Sequence, residues 1–175
     1  MRSKGFDGMV CSIAGVMSAI GDRWGLLILR DLVLGLSRYE DFRQSTGVTN
    51  ATLSDRLKHL EAGGLVGRRR YQTNPERFEY HLTPTGWQIA PLMQVLAQIG
   101  DRMGVSGADA PPLKFVNRET GAEIRTAFID QETGKEITAG NLAIEPGPGA
   151  DHLVRWRLSL EKRREEQLSE SASAG

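Results

Sequence analysis

The sequence predicts an α+β fold in two parts: a helix-rich amino-terminal region that holds a β-hairpin, and a small β-hairpin unit with a terminal helix after it. Three observations carry this. Apolar residues recur at three- and four-residue spacing through residues 9–62 and again through 87–103. Two β-rich segments, 65–71 and 78–82, stand between those blocks. Beyond Pro112 the motif Asn117-Arg118-Glu119-Thr120-Gly121 returns as Asp130-Gln131-Glu132-Thr133-Gly134.

The elements follow in order. Val10, Ile13, Val16, Met17 and Ile20 predict a first helix over 9–20, closed by Gly21, with Asp22 as cap for the next. The second, 23–34, is apolar nearly all round and belongs in the middle of a small core; Gly35 stops it. Ser37 and Glu40 have the spacing of a capping box for a third helix, 38–45. Thr49 caps a fourth that runs to Ala62, with Leu53, Leu57 and Leu60 as its buried stripe and Gly63-Gly64 as its break. The short link 46–48 makes helices three and four a helix-turn-helix. In the second strand Phe78, Tyr80 and Leu82 alternate with Glu79 and His81, and Asn74-Pro75 marks a polar tip, so the whole reads as a winged helix. A long helix over 87–103 carries Ile89, Leu92, Met93, Leu96, Ile99 and Met103 on one side. Residues 1–105 are thus expected to form the DNA-binding and dimerisation domain, 106–112 a linker, 113–168 a small antiparallel sheet of two hairpins with a charged terminal helix over 153–168, and 169–175 a disordered tail.

Composition excludes several classes. The longest apolar runs, Leu26 to Leu29 and Leu32 to Leu34, fall far short of the roughly 18 residues of a membrane span. Neither a signal peptide nor a membrane partner is expected, and a cytoplasmic location follows. One cysteine and three histidines give no zinc spacing, so no metal and no cofactor are expected. No nucleophile–base pair or phosphate loop stands out, and His152 is the sole histidine of the carboxy-terminal part, so an enzyme is not expected. Net charge is zero, with 22 basic and 22 acidic residues. Yet Arg43, Arg56, Lys58, Arg68, Arg69, Arg70 and Arg77 outnumber Asp55, Glu61 and Glu76 between positions 42 and 77, a local excess suited to phosphates.

Residues 11–103 resemble the HxlR-type winged-helix transcriptional regulators. The resemblance rests on Cys11, on Ile20-Gly21-Asp22-Arg23-Trp24-Gly25-Leu26-Leu27-Ile28-Leu29-Arg30-Asp31-Leu32, on Arg38-Tyr39-Glu40-Asp41-Phe42, on the stretch from Leu53 to Val66, and on Glu79-Tyr80-His81-Leu82-Thr83-Pro84-Thr85-Gly86. It implies a winged helix whose terminal helices form a homodimer, and in some members a sensing cysteine near position 11. Two places depart from the family pattern. Thr49-Asn50-Ala51 stands where Ser-Pro-Lys is usual, and Ser12 follows Cys11 where Pro is usual.

The expected partner is double-stranded operator DNA. A helix about 10–12 Å across fits the major groove. With the three leucines buried, the fourth helix turns Ala51, Ser54, Asp55, Lys58 and His59 outward. Ser54, Asp55 and Lys58 are candidates for base edges, and Thr49 and Asn50 for a phosphate at the helix start. Arg68 and Arg70 share one side of a strand; Arg77 at the wing tip suits a minor groove or a phosphate; Arg38 is a further candidate. Arg23 and Arg30 are expected to pair with acids inside the fold. The resulting reading is a transcriptional regulator, a repressor by expectation, that binds a pseudo-palindromic site as a homodimer. A small-molecule effector and oxidation of Cys11 are candidate inputs. The alternative is a winged-helix protein-interaction module whose basic face is incidental.

Overall fold

The computed structural model describes residues 5–6 and 8–160. They fall into two compact units, residues 5–6 with 13–126, and residues 8–12 with 127–160. The order of the main elements is α1 (Ser12–Ile20), α2 (Arg23–Val33), α3 (Tyr39–Thr46), α4 (Asn50–Ala62), β1 (Val66–Thr73), β2 (Glu76–Leu82), α5 (Pro84–Trp87) and α6 (Ala90–Met103). This is a winged helix-turn-helix.

Helix α2 occupies the centre, as its all-round apolar character predicts. Ile28 and Leu29 are fully buried, and they join Phe42 from α3, Leu53, Leu57 and Leu60 from α4, Val66 and Leu82 from the hairpin, and Met93 from α6 in one core. The Asp22 carboxylate caps α2 by accepting from the amides of Trp24 and Gly25. Asp31, also on α2, is buried; its Oδ1 takes two hydrogen bonds from Arg30 while its Oδ2 has no protein partner. Arg30 thus pairs with an acid as expected, whereas Arg23 lies over the Trp24 ring, 5.3 Å from its centroid.

Three local expectations are corrected. Ser37 does not cap α3. Arg38 is the N-cap, its side chain makes no capping bond, and it forms a β-bridge to Glu79 while the Tyr80 amide donates to the Ser37 carbonyl. Residues 37–38 are thereby drawn into extended backbone beside the wing, and Glu40 pairs with Arg43 instead. The wing strands reach further than their apolar alternation suggests. β1 and β2 pair antiparallel from Val66↔Leu82 to Thr73↔Glu76, so only Asn74-Pro75 is left to turn the chain. The long helix expected over 87–103 begins only at Ala90, as α6, and Trp87 instead ends the short α5. Pro91 has no amide proton to continue the ladder to the Trp87 carbonyl, so the helix must restart.

On α1 only Ala14 and Ile20 are buried; Ile13, Val16 and Met17 are exposed. On α6, Leu92, Leu96, Ile99 and Met103 are likewise exposed. Beyond α6, Gln94 holds the segment near residue 124 by donating to the Ile124 carbonyl.

The internal repeat folds twice into the same loop. Asn117 Oδ1 accepts from the amides of Glu119 and Thr120, and Asp130 Oδ1 accepts from those of Glu132 and Thr133. Gly121 and Gly134 close the two loops at φ of 70° and 67°. The amides of Thr133 and Glu132 hold the Asp130 carboxyl below the usual carboxylate range. The hairpins are minimal: one bridge, Val116↔Glu123, and a pair of two-residue strands, β3 (Phe128–Ile129) and β4 (Glu136–Ile137). The bridge falls in the first compact unit and the β3–β4 pair in the second, whereas the sequence leads one to expect a single sheet of two hairpins. A 3-10 turn (Ala139–Asn141) follows, and residues 152–160 are helical; the rest of the expected terminal helix and the tail lie outside the described residues.

Gly25 explains part of the motif around Asp22. A Cβ there would lie 2.1 Å from the Ile20 carbonyl oxygen, a backbone atom that cannot step aside. Gly25→Ala is expected to lower the unfolding free energy by about 3 kcal/mol, as overpacking against backbone does. Urea denaturation checks this; an unchanged midpoint would contradict the close approach.

Candidate nucleic-acid interface

The interface is built from α4 outward. Gly47 ends α3 in the left-handed conformation at φ 68°, and the Thr49 hydroxyl accepts from the Thr52 amide to start α4. Leu53, Leu57 and Leu60 pin one side of α4 in the core. The opposite side then presents Thr49, Asn50, Ala51, Asp55 and Lys58 to solvent, with Ser54 half-buried. The candidate base-reading residues therefore share one face, and Lys58 has no ion-pair partner among the described residues.

Three polar ties hold α4 to its neighbours, and none has a local signal in the sequence. Arg56 Nε donates to Asp22 Oδ2 at 2.8 Å, and Arg56 also pairs with Asp55. His59 Nε2 lies 2.7 Å from the Ser18 carbonyl on α1. Gly21 makes room for that imidazole, since a Cβ there would come within 2.9 Å of the ring. His59 is thus exposed, as expected, but its ring is bonded towards α1. The Tyr39 hydroxyl reaches the Asn50 carbonyl at 2.8 Å and the Ser54 hydroxyl at 2.9 Å. Tyr39 is not among the site residues that the sequence points to. Its one available sign is that it sits three positions before the buried Phe42, on the same side of α3.

Most wing arginines are partnered by acids. Arg38 lies 3.5 Å from Glu79 and 5.1 Å from the centre of the Tyr71 ring. Arg69 shares Glu79 at 3.4 Å, and Arg70 meets Glu76 at 3.2 Å. Arg68 lies over the Phe78 ring and 3.6 Å from Glu61. Arg77 is exposed and has no ion-pair partner among the described residues. Between the start of α3 and the wing lies a cleft of about 460 Å³, lined by Arg38, Tyr39, Tyr71, Arg77, Phe78 and Tyr80 among others. Burial and the Glu61 charge raise the Tyr80 phenol above its ordinary value, with Arg68 opposing.

A second, apolar cavity of about 210 Å³ lies between α2, α6 and residues 113–115, with Leu26, Val33, Met93, Ala97 and Phe115 among its walls. Among the described residues no group of three or more His, Cys, Asp or Glu could hold a metal ion. No single described helix is long and apolar enough to cross a membrane. Cys11 is a free, half-buried thiol.

The HxlR-like helix-turn-helix family model matches residues 19–106, which take in α2 to α6 and the wing. The chain belongs to the HxlR-like helix-turn-helix family. An uncharacterized HTH-type transcriptional regulator of Mycobacterium tuberculosis is 37% identical over 138 residues, 79% of this chain and 87% of the relative. One from Methanothermobacter thermautotrophicus is 33% identical over 112 residues, 61% of this chain and 86% of the relative. Among solved structures, PA1607, described as a candidate transcription factor, superposes with a TM-score of 0.69 at 26% identity, covering 81% of this chain and 99% of that one. The redox regulator HypR in its reduced form gives a TM-score of 0.50 at 26% identity over 54% of this chain and 95% of its own. This HxlR-like protein is a transcriptional regulator of the helix-turn-helix type.

The Asp22–Arg56 tie gives the regulator a testable acid response. Burial raises the Asp22 pKa, but the Gly25 amide, the Arg56 guanidinium and the Trp24 amide outweigh it and hold the carboxyl below its ordinary value. A pKa lowered by folding adds stability that is present above the unfolded-state value and is lost as pH falls through the folded-state value. The stability gap between wild type and Asp22→Asn is therefore expected to be widest near neutrality and to narrow as pH falls below about 5. Urea midpoints across that range measure it; a gap independent of pH would refute the assignment.

Proposed function

We propose that this regulator acts as a repressor that binds a pseudo-palindromic operator as a homodimer, with α4 in the major groove of each half-site and the wing on the flanking backbone. The observation that carries the reading is the outward face of α4, where Asp55 and Lys58 stand in solvent while the three leucines on the far side are locked in the core. Lys58 is the residue for guanine and Asp55 for cytosine, with Ser54 beside them at the base edges. Thr49 and Asn50 meet a phosphate at the helix start. Arg77, without an acid partner among the described residues, is the main wing contact, and Arg38 lines the cleft next to it. Arg68 and Arg70 contribute only by exchanging Glu61 and Glu76 for phosphate. His59 braces α4 against α1 and is not assigned a base.

Two helices that flank the helix-turn-helix support the dimer. Ile13 of α1 is 76% exposed and Met103 of α6 is 66% exposed, an arrangement that leaves apolar surface for a twofold mate. Two inputs are compatible with regulation. The apolar cavity suits a small uncharged ligand, and the Cys11 thiol suits oxidation, a reading that the similarity to reduced HypR favours. We place the protein in the cytoplasm, with its DNA.

Selection of bound duplexes from a random pool tests the reading. Lys58→Ala should alter base preference at one position per half-site, while Arg77→Ala should weaken all sequences alike and reduce the log–log salt slope by about 0.9. A salt-insensitive interaction with no selected sequence would favour a protein-interaction module instead. For the dimer, Ile13→Glu combined with Ile99→Glu should leave helical circular dichroism intact, convert the protein to monomer in sedimentation, and abolish tight operator binding. A persistent dimer would place the interface elsewhere.

A further inference from the structure

We infer that Tyr39 makes Ser54 an obligate hydrogen-bond acceptor towards DNA, so that the base edge facing Ser54 must offer an amino group, adenine N6 or cytosine N4. The inference deepens the operator reading and rests on it, since it requires Ser54 to reach a base.

A serine hydroxyl ordinarily has one proton to give and two lone pairs to receive with, and so reads donors and acceptors alike. Here the proton count removes that freedom. The Tyr39 hydroxyl stands 2.8 Å from the Asn50 carbonyl oxygen, which has no proton, so the single phenolic proton must lie on that line. The same phenolic oxygen stands 2.9 Å from Ser54 Oγ. With its own proton committed to Asn50, the phenol can only accept from the serine. The protons therefore run in one direction, from Ser54 to Tyr39 to the Asn50 carbonyl, and each bond polarises the next. Ser54 Oγ keeps lone pairs and no proton for the groove. Guanine O6 and N7, thymine O4 and adenine N7 would each set lone pair against lone pair.

Tyr39 is well placed to enforce this. It is the first residue of α3, and its side chain packs on the core formed by Phe42 and the α4 leucines. Its hydroxyl spans the first turn of α4, from Asn50 to Ser54. Tyr39 is therefore a positioning residue for specificity, acting through Ser54.

The test removes single groups from the bases of a selected operator and measures binding by fluorescence anisotropy for wild type, Ser54→Ala and Tyr39→Phe. At the position whose preference Ser54→Ala erases, purine in place of adenine, or 2-pyrimidinone in place of cytosine, should weaken wild-type binding about tenfold, the worth of one hydrogen bond. The same replacement should cost Ser54→Ala nothing further. Removing N7 with 7-deazapurines should show no coupling to Ser54. In Tyr39→Phe the serine proton is released, so base pairs that present an acceptor at this position should bind within about threefold of the selected one, while preference elsewhere is kept. Coupling of Ser54 to a 7-deaza position, or an unchanged preference in Tyr39→Phe, would overturn the inference and leave the operator reading standing. A Ser54→Ala protein with wild-type preference at every position would remove Ser54 from the bases. Failure of wild type to select any sequence would defeat both.

Discussion

The direction in which α4 faces depends on the burial of Leu53, Leu57 and Leu60 against α2. All three are at or below 2% exposed, and they meet the fully buried Ile28, Leu29 and Phe42. Rotating α4 by one residue would place a polar side chain in that core, at a cost of several kcal/mol for each unpaired group. Packing thus selects a single rotation of the helix. Everything assigned to the outer surface, from Asn50 to Lys58, follows from that choice.

Packing alone leaves the tilt of α4 less well determined than its rotation, and here the polar ties matter. Arg56 reaches the same carboxylate that caps α2, so the start of α2 and the middle of α4 share one acid. His59 meets the Ser18 carbonyl at the other end of α1 from Cys11. Tyr39 holds the first turn. Each tie leaves from a flank of α4, between the leucine side and the solvent side. The residues that do not read bases in this scheme are the ones that aim those that do.

Much of this was legible from spacing. The α4 start at Thr49, its end before Gly63, the leucine stripe and the outward set all depend on near-neighbour chemistry, which a sequence displays directly. The failures share a different cause. Ser37 lost its capping role because Glu79, far along the chain, recruits Arg38 into a bridge. Arg56 found Asp22 rather than a phosphate-facing position because folding brings together residues 34 positions apart. The break before α6 was visible in Pro91, but the apolar stripe running through it argued for continuity. On α1 the periodicity revealed an amphipathic helix without revealing that Ile13, Val16 and Met17 stay exposed among the described residues.

The acids set among the wing arginines bear on how such a protein would find a site. Glu61, Glu76 and Glu79 neutralise much of the charge that Arg38, Arg68, Arg69 and Arg70 would otherwise hold out to any duplex. A phosphate that engages one of these side chains must displace a carboxylate, so the electrostatic gain is a difference of two attractions and not a full one. Random stretches of genome would then retain the molecule only briefly, and residence would depend on contacts that a random stretch does not supply. For a chain with no net charge, weak loitering on arbitrary duplex would be the natural accompaniment of the proposed operator binding.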